Sequence, residues 1–418
     1  MGDAVGTEGT RTASAVADGR WRTLVVVALA ELLTMSLWFS ASAVAPELTV
    51  QWGLTPTEAG LLTSAVQVGF VVGAVASAAL TLSDIVPTRY LFAASALAGA
   101  AITATLGLVV DSAGAAIALR FLTGVTLAGV YPPGMKLVAG WFRRRRGFAI
   151  GTLVGALTLG TALPHLVRAV GGVGRPRFVL LVAAGLATAG GLLVLRVRPG
   201  PYQSPAAPFD PRAVGRILGD RATMLANLGY FGHMWELYGV WTWIPVFLAV
   251  SFAGRESALA TPTVAALFAF GTIAVGGVGA VAAGRVADRV GRTTVTAASM
   301  VVSGSCCLLA GFAFAAPLAV LAAFLAVWGF TVVADSAQFS AAISELAESS
   351  YVGTALTLQT AIGFLLTIGS IQLLPVVATR FGWRWAFLPL AVGPVVGTLA
   401  MWRLRRRPEA TALADGNR

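Results

Sequence analysis

The chain has 418 residues, 57% of them hydrophobic and only 11% charged, with a mean hydropathy of +0.81. A soluble domain of this length needs a polar surface, so the composition excludes one and puts most of the chain in a lipid bilayer. The net charge of +11 would suit a nucleic-acid partner if it were gathered on one element, but the basic residues are spread loop by loop, which argues against that class.

The first 22 residues are polar and small. Crossing about 30 Å of hydrocarbon takes about 20 apolar residues, and twelve such segments follow, near 23–45, 59–82, 90–110, 115–140, 147–170, 178–197, 223–250, 261–283, 295–313, 316–343, 352–377 and 385–404. Only Asp111-Ser112 and Pro317 break the 110–115 and 313–316 junctions, so eleven is the fallback count. Ala41-Ser42-Ala43 has the small-residue pattern of a cleavage site, but the preceding segment is long and carries Glu31, which predicts an uncleaved first span. Val197–Ala222, with five prolines and four arginines, reads as a linker. The expected organisation is a tail 1–22, a six-helix bundle 23–197, a linker 198–222, a second bundle 223–404 and a tail 405–418, an all-α membrane protein with pseudo-two-fold symmetry. Most of the 29 basic residues then fall on the side of the termini, which the positive-inside rule makes cytoplasmic. One lysine against 28 arginines, with abundant Ala, Gly and Val, suggests a GC-rich bacterial genome and hence a bacterial cytoplasmic membrane. Adjacent Cys306 and Cys307 lie mid-span and read as small hydrophobes.

A charged turn is repeated half a chain apart. Gly284–Arg292 reads GRVADRVGR and Ser83–Arg89 reads SDIVPTR, with Asp84 and Asp288 204 positions apart, which points to duplicated halves. Gly174-Arg175-Pro176-Arg177-Phe178 is echoed by Gly382-Trp383-Arg384-Trp385. The second-half turn resembles the G-x-x-x-D-[RK]-x-G-[RK] loop of major facilitator superfamily transporters, through Gly284, Asp288, Arg289, Gly291 and Arg292. In the first half Leu80 and Pro87 stand where that loop has glycine, leaving Asp84 and Arg89. Arg120-Phe121-Leu122-Thr123-Gly124 is similar to the family's R-x-x-x-G pattern on the fourth span. The resemblance implies alternating access between two six-helix bundles, with the motif as a gating latch. Gly151, Gly155, Gly160 and Pro164 match the antiporter glycine series only in part. Tyr131–Phe142 loosely resembles the nitrate/nitrite and cyanate-type anion porters, although spans two and eight carry no arginine and Gln67 is the polar amide there.

Charges inside a bilayer are expensive and mark candidate function. Glu31, Arg120, His165, His233, Glu236 and Asp335 are the intramembrane set, and five of them fall on spans one, four, seven and ten, which line the central cavity in the family resembled. At 1.5 Å per residue, Glu31 lies roughly 12 Å into its span. Glu31, Glu236 and Asp335 are the expected proton carriers. Arg120, His233, Tyr230, Trp38, Gln67, Gln338 and Gln359 are the candidate substrate-binding residues; an arginine can hold a carboxylate bidentately. His165 beside Pro164 reads as a kink residue.

The sequence therefore predicts a monomeric secondary transporter, driven by protons, contacting membrane lipids, and taking up a small anionic or zwitterionic molecule. Export of an apolar or cationic compound in exchange for protons is the second reading. A sensor or an intramembrane enzyme is the reading from another class. No GxxxxGK[ST], HExxH or GxSxG is present, so neither nucleotide-driven transport nor these hydrolase chemistries have their residues here, and no cofactor is expected.

Overall fold

The computed structural model describes residues 4–417 apart from 81, 143–145, 203–211, 213 and 349–350; the side chains of 4–18, 83–84, 146–147 and 415 lie outside the description as well. The Asp84 side chain and the Arg143 to Arg146 run belong to that undescribed set. Among the described residues every element is helical. Eleven are long and apolar enough to cross a membrane. The twelfth crossing is the first span, where the helix Ala4–Met35 breaks over 36–39 and continues as Ser40–Ala43 and Ala45–Trp52.

Spans two and three are Pro56–Ala79 and Thr88–Leu108. Span four is interrupted between Ala113–Leu127 and Tyr131–Ala139, because Pro132 and Pro133 open the second piece and a proline disfavours helix in the residue before it. Span five (Phe148–Gly172) ends in a π turn and span six is Pro176–Val194. Spans seven, eight and nine are Arg221–Ala253, Pro262–Val290 and Arg292–Ala313. Span ten breaks at Asp335, between Leu318–Ala334 and Ser336–Leu346. Spans eleven and twelve are Val352–Phe381 and Trp383–Arg405.

Packing repeats between the halves. In the first, span one packs on five and six, two on four, and three on four and six; in the second, seven packs on eleven and twelve, eight on ten, and nine on ten and twelve. Small residues make the tightest of these contacts. A Cβ at Gly124 would sit 2.1 Å from the Val66 carbonyl of span two, and one at Gly329 1.8 Å from the Thr272 carbonyl of span eight, so equivalent pairs are in backbone contact in both halves. The halves meet along spans five and eight and along spans two and eleven.

Candidate functional site at the centre of the bundle

The break in span one builds the first half of the site. Thr34 Oγ1 and Ser36 Oγ donate back to the Ala30 and Leu33 carbonyls (2.8 and 2.7 Å), a pairing that competes with the helix ladder. Beyond Met35 the chain turns, and Arg120 of span four takes up the carbonyls it presents. Its Nη1 donates to Leu37 O (2.8 Å) and Ser40 Oγ (3.3 Å), its Nη2 to Trp38 O, and its Nε to Leu62 O of span two (3.0 Å). The guanidinium is fully buried and committed to neutral oxygens, so it ties spans one, two and four together.

Glu31 sits one turn before that break. It is wholly buried, and neither carboxyl oxygen has a hydrogen-bond partner. Gly134 of span four makes room for it; a Cβ there would lie 3.2 Å from Glu31 Oε2. On the opposite side of the break Trp38 packs on Phe70 of span two (5.1 Å between ring centroids) and on Tyr238 and Phe364 of the second half (6.0 and 5.4 Å). Trp38 Nε1 and both amide atoms of buried Gln67 have no partner.

In the second half, span seven carries two differently placed groups. His233 Nδ1 lies 2.8 Å from Asp335 Oδ1 at the break of span ten, in ion-pair contact without the alignment of a hydrogen bond, and His233 Nε2 has no partner. Glu236, three residues on, accepts from Ser303 Oγ (2.8 Å), Cys307 Sγ (3.2 Å) and Trp328 Nε1 (2.9 Å), which lock it against spans nine and ten. Helical spacing put these two on one face; packing gives them separate partners. Tyr230 rests on His233 and Phe339 (6.1 Å each), and Gln359 Nε2 donates to Asn227 Oδ1 at 3.1 Å. His165 is buried with both ring nitrogens unpartnered.

The repeated turn holds the end of span eight to its neighbours. Arg292 donates to Glu345 in a bidentate pair (Nε–Oε2 2.7 Å, Nη2–Oε1 2.5 Å) and to Gln338 Oε1 (2.8 Å), while Asp288 is only 3.6 Å away and largely exposed. Gln338, expected at the substrate, is thus drawn into the latch. Gly291 at φ 104° makes the sharp turn into span nine that lets Arg292 face span ten. The C-terminal segment Pro408–Gly416 docks here too: Ala414 N donates to Glu345 Oε2 (3.1 Å) and Asn417 Nδ2 to Asp288 O (3.1 Å). In the first half, Arg89 donates to Val197 O (3.2 Å) and stacks on Tyr90.

This architecture is shared with known proteins. The family model for the Major Facilitator Superfamily matches residues 27–279 and 226–418. The chain belongs to the major facilitator superfamily. Solved structures with this fold include a mutant of the nucleoside transporter NupG, with a TM-score of 0.71 at 14% identity over 91% of this chain and 99% of that one. A bacterial homologue of the human lysosomal transporter Spinster matches in two inward-facing forms. The unoccupied form gives a TM-score of 0.71 at 13% identity and the occupied form 0.70 at 14%, each over 93% of this chain and 97% of that one. No curated protein matches the chain.

Where spans one, two, seven and eleven meet, the structure gathers Trp38, Phe70, Tyr238 and Phe364. Tyr238, Phe364 and Glu345 carry no sequence signal of their own: two are aromatic residues among 27 Phe and Tyr, and the third sits in an ordinary loop-proximal turn. Cys307, Ser303 and Trp328 were equally invisible as partners of Glu236, because only helix packing brings spans seven, nine and ten together. The family and its structural neighbours are transporters, not enzymes.

Proposed function

We propose that this transporter moves a small solute across a bacterial cytoplasmic membrane by alternating access, coupled to a proton carried on Glu31 and acting as a monomer with both termini in the cytoplasm. Glu31 carries the reading: its carboxyl is enclosed and has no hydrogen-bond partner. An ionised carboxyl held this way costs several kcal/mol, and a proton removes that cost. Enclosure of Glu31 and proton binding are therefore linked, and a rocking motion that opens a path from Glu31 to water lets the proton leave. Asp335 supports the reading as a second acid. Its contact with His233 fastens the break of span ten to span seven.

The expectation of an anionic or zwitterionic cargo rested on Arg120 and His233. Arg120 has all three of its guanidinium nitrogens on internal oxygens, while His233 holds Asp335 through Nδ1 and keeps Nε2 unpartnered. Purified protein in liposomes, with pH gradients of either polarity and a broad solute panel, tests the coupling. Accumulation in alkaline-inside vesicles marks uptake with protons and accumulation in acid-inside vesicles marks exchange against them, whichever way the protein is inserted. Glu31→Gln is expected to abolish gradient-driven accumulation while counterflow exchange persists; undiminished accumulation by the variant would overturn the proton role.

A further inference from the structure

Between the halves, the seam of spans one, two, seven and eleven combines stacked rings with unpaired neutral polar groups. Gly60, Ser64 and Gln67 recur at helical spacing and so share one face of span two. Gly60 faces the second half, since a Cβ there would lie 2.9 Å from Gln372 Nε2 and 3.3 Å from Trp243. Ser64 Oγ and both Gln67 amide atoms are therefore turned toward that half, buried, and without a partner. Trp38 Nε1 and Trp241 Nε1 are buried and unpartnered in the same layer, where Trp38, Phe70 and Phe364 meet at 4.8 to 5.4 Å and Tyr238 joins Trp241 at 5.8 Å.

Buried polar groups are nearly always paired, because an unmet donor or acceptor keeps its full desolvation cost. Here such groups come from both halves, at the surface that must part and re-form during alternating access. The aromatic rings offer flat faces, the indoles offer donors, and the Gln67 amide offers one donor beside one acceptor, the pattern that pairs with another amide edge. The guanidinium charge is not on offer, since Arg120 is spent on carbonyls, and His233 is held by Asp335 through Nδ1. We infer that this seam binds the cargo, and that the cargo is an uncharged, flat molecule bearing an amide-like edge that pairs with Gln67 while its ring lies among Trp38, Phe70 and Phe364. The inference rests on the transporter reading and narrows it to a class of solute.

Matched probes separate charge from shape. Nicotinamide and uracil are flat, uncharged and amide-edged; nicotinate keeps the ring of nicotinamide but is an anion; benzyltrimethylammonium is a flat-ringed cation. Binding to the purified full-length protein is read by tryptophan fluorescence and by shift of the melting temperature. Nicotinamide or uracil is expected to bind at least tenfold tighter than nicotinate and benzyltrimethylammonium. Gln67→Leu, which keeps the volume, is expected to weaken that binding at least tenfold with the melting temperature unchanged or raised, and Trp38→Phe to remove most of the fluorescence response. Equal or tighter binding of either charged probe, or an undisturbed affinity in Gln67→Leu, would overturn the assignment. If neither amide binds while the same protein still moves some other solute down a pH gradient, the seam holds only water and this inference fails with the transporter reading intact. Loss of all gradient-driven transport in the native protein would instead remove the reading beneath it.

Discussion

At the scale of single residues, the buried charges divide by whether the fold already satisfies them. Arg120 and Glu236 are satisfied: one donates to the Leu37, Trp38 and Leu62 carbonyls, the other accepts from Ser303, Cys307 and Trp328. Glu31 is not: neither of its carboxyl oxygens has a partner. Removing Arg120 takes donors from buried carbonyls, at about 1 to 3 kcal/mol for each one left unmet. Arg120→Leu is thus expected to lower the melting temperature of the purified protein by several degrees and to cut its yield, with Arg120→Lys intermediate because an ammonium cannot reproduce the planar fork. A variant of native stability with only its KM raised would instead make Arg120 a cargo anchor. In the sequence these three residues look alike, since each is an isolated charge in an apolar segment; the sorting needs the partners that folding supplies.

Among elements, the breaks matter as much as the helices. Spans one, four and ten each lose helical continuity near mid-membrane, at 36–39, at 128–130 and at Asp335. Pro132-Pro133 made the second break legible in the sequence, whereas the break in span one arises from serine and threonine back-bonding and from Arg120 reaching across, neither of which has a sequence pattern strong enough to read. Close contact of spans two and four holds this region together. Gly124→Ala puts a methyl group 2.1 Å from the Val66 carbonyl, so the helices must separate. A destabilisation of about 1 to 3 kcal/mol is expected, seen as a lower melting temperature, while Gly151→Ala, where a Cβ meets open space, is expected to leave it unchanged. Equal melting temperatures for the two variants would contradict this account of the contact.

For the whole molecule, the latch turns out to be internal to one half. Arg292 joins span nine to Glu345 and Gln338 of span ten, and the C-terminal segment adds its own hydrogen bonds to Glu345 and to the Asp288 carbonyl. These contacts tie spans eight, nine and ten and the C-terminal segment of the second half together. Asp288 contributes little through its side chain, because a 3.6 Å pair with 60% of the carboxylate side exposed is weakly held. Glu345→Gln is expected to slow turnover several-fold with cargo affinity within twofold of native, and Asp288→Asn to slow it less than twofold; liposome transport rates alongside equilibrium binding measure both. A pure loss of affinity in Glu345→Gln would contradict the latch role.

The sequence by itself determined the class, an all-helical membrane protein of eleven or twelve spans, and pointed to duplicated halves, because these depend on segment length, apolarity and periodicity, which are local. It also named the charged residues that a bilayer does not tolerate without reason. Only the tertiary structure decided what each of them does. Arg120 became a clamp, Gln338 a latch contact and Glu236 a locked carboxyl, while Glu31 and Gln67 were left without partners. The reason is physical: a buried polar group is defined by its hydrogen bonds, and those of Arg120, Gln338 and Glu236 come from helices distant in sequence.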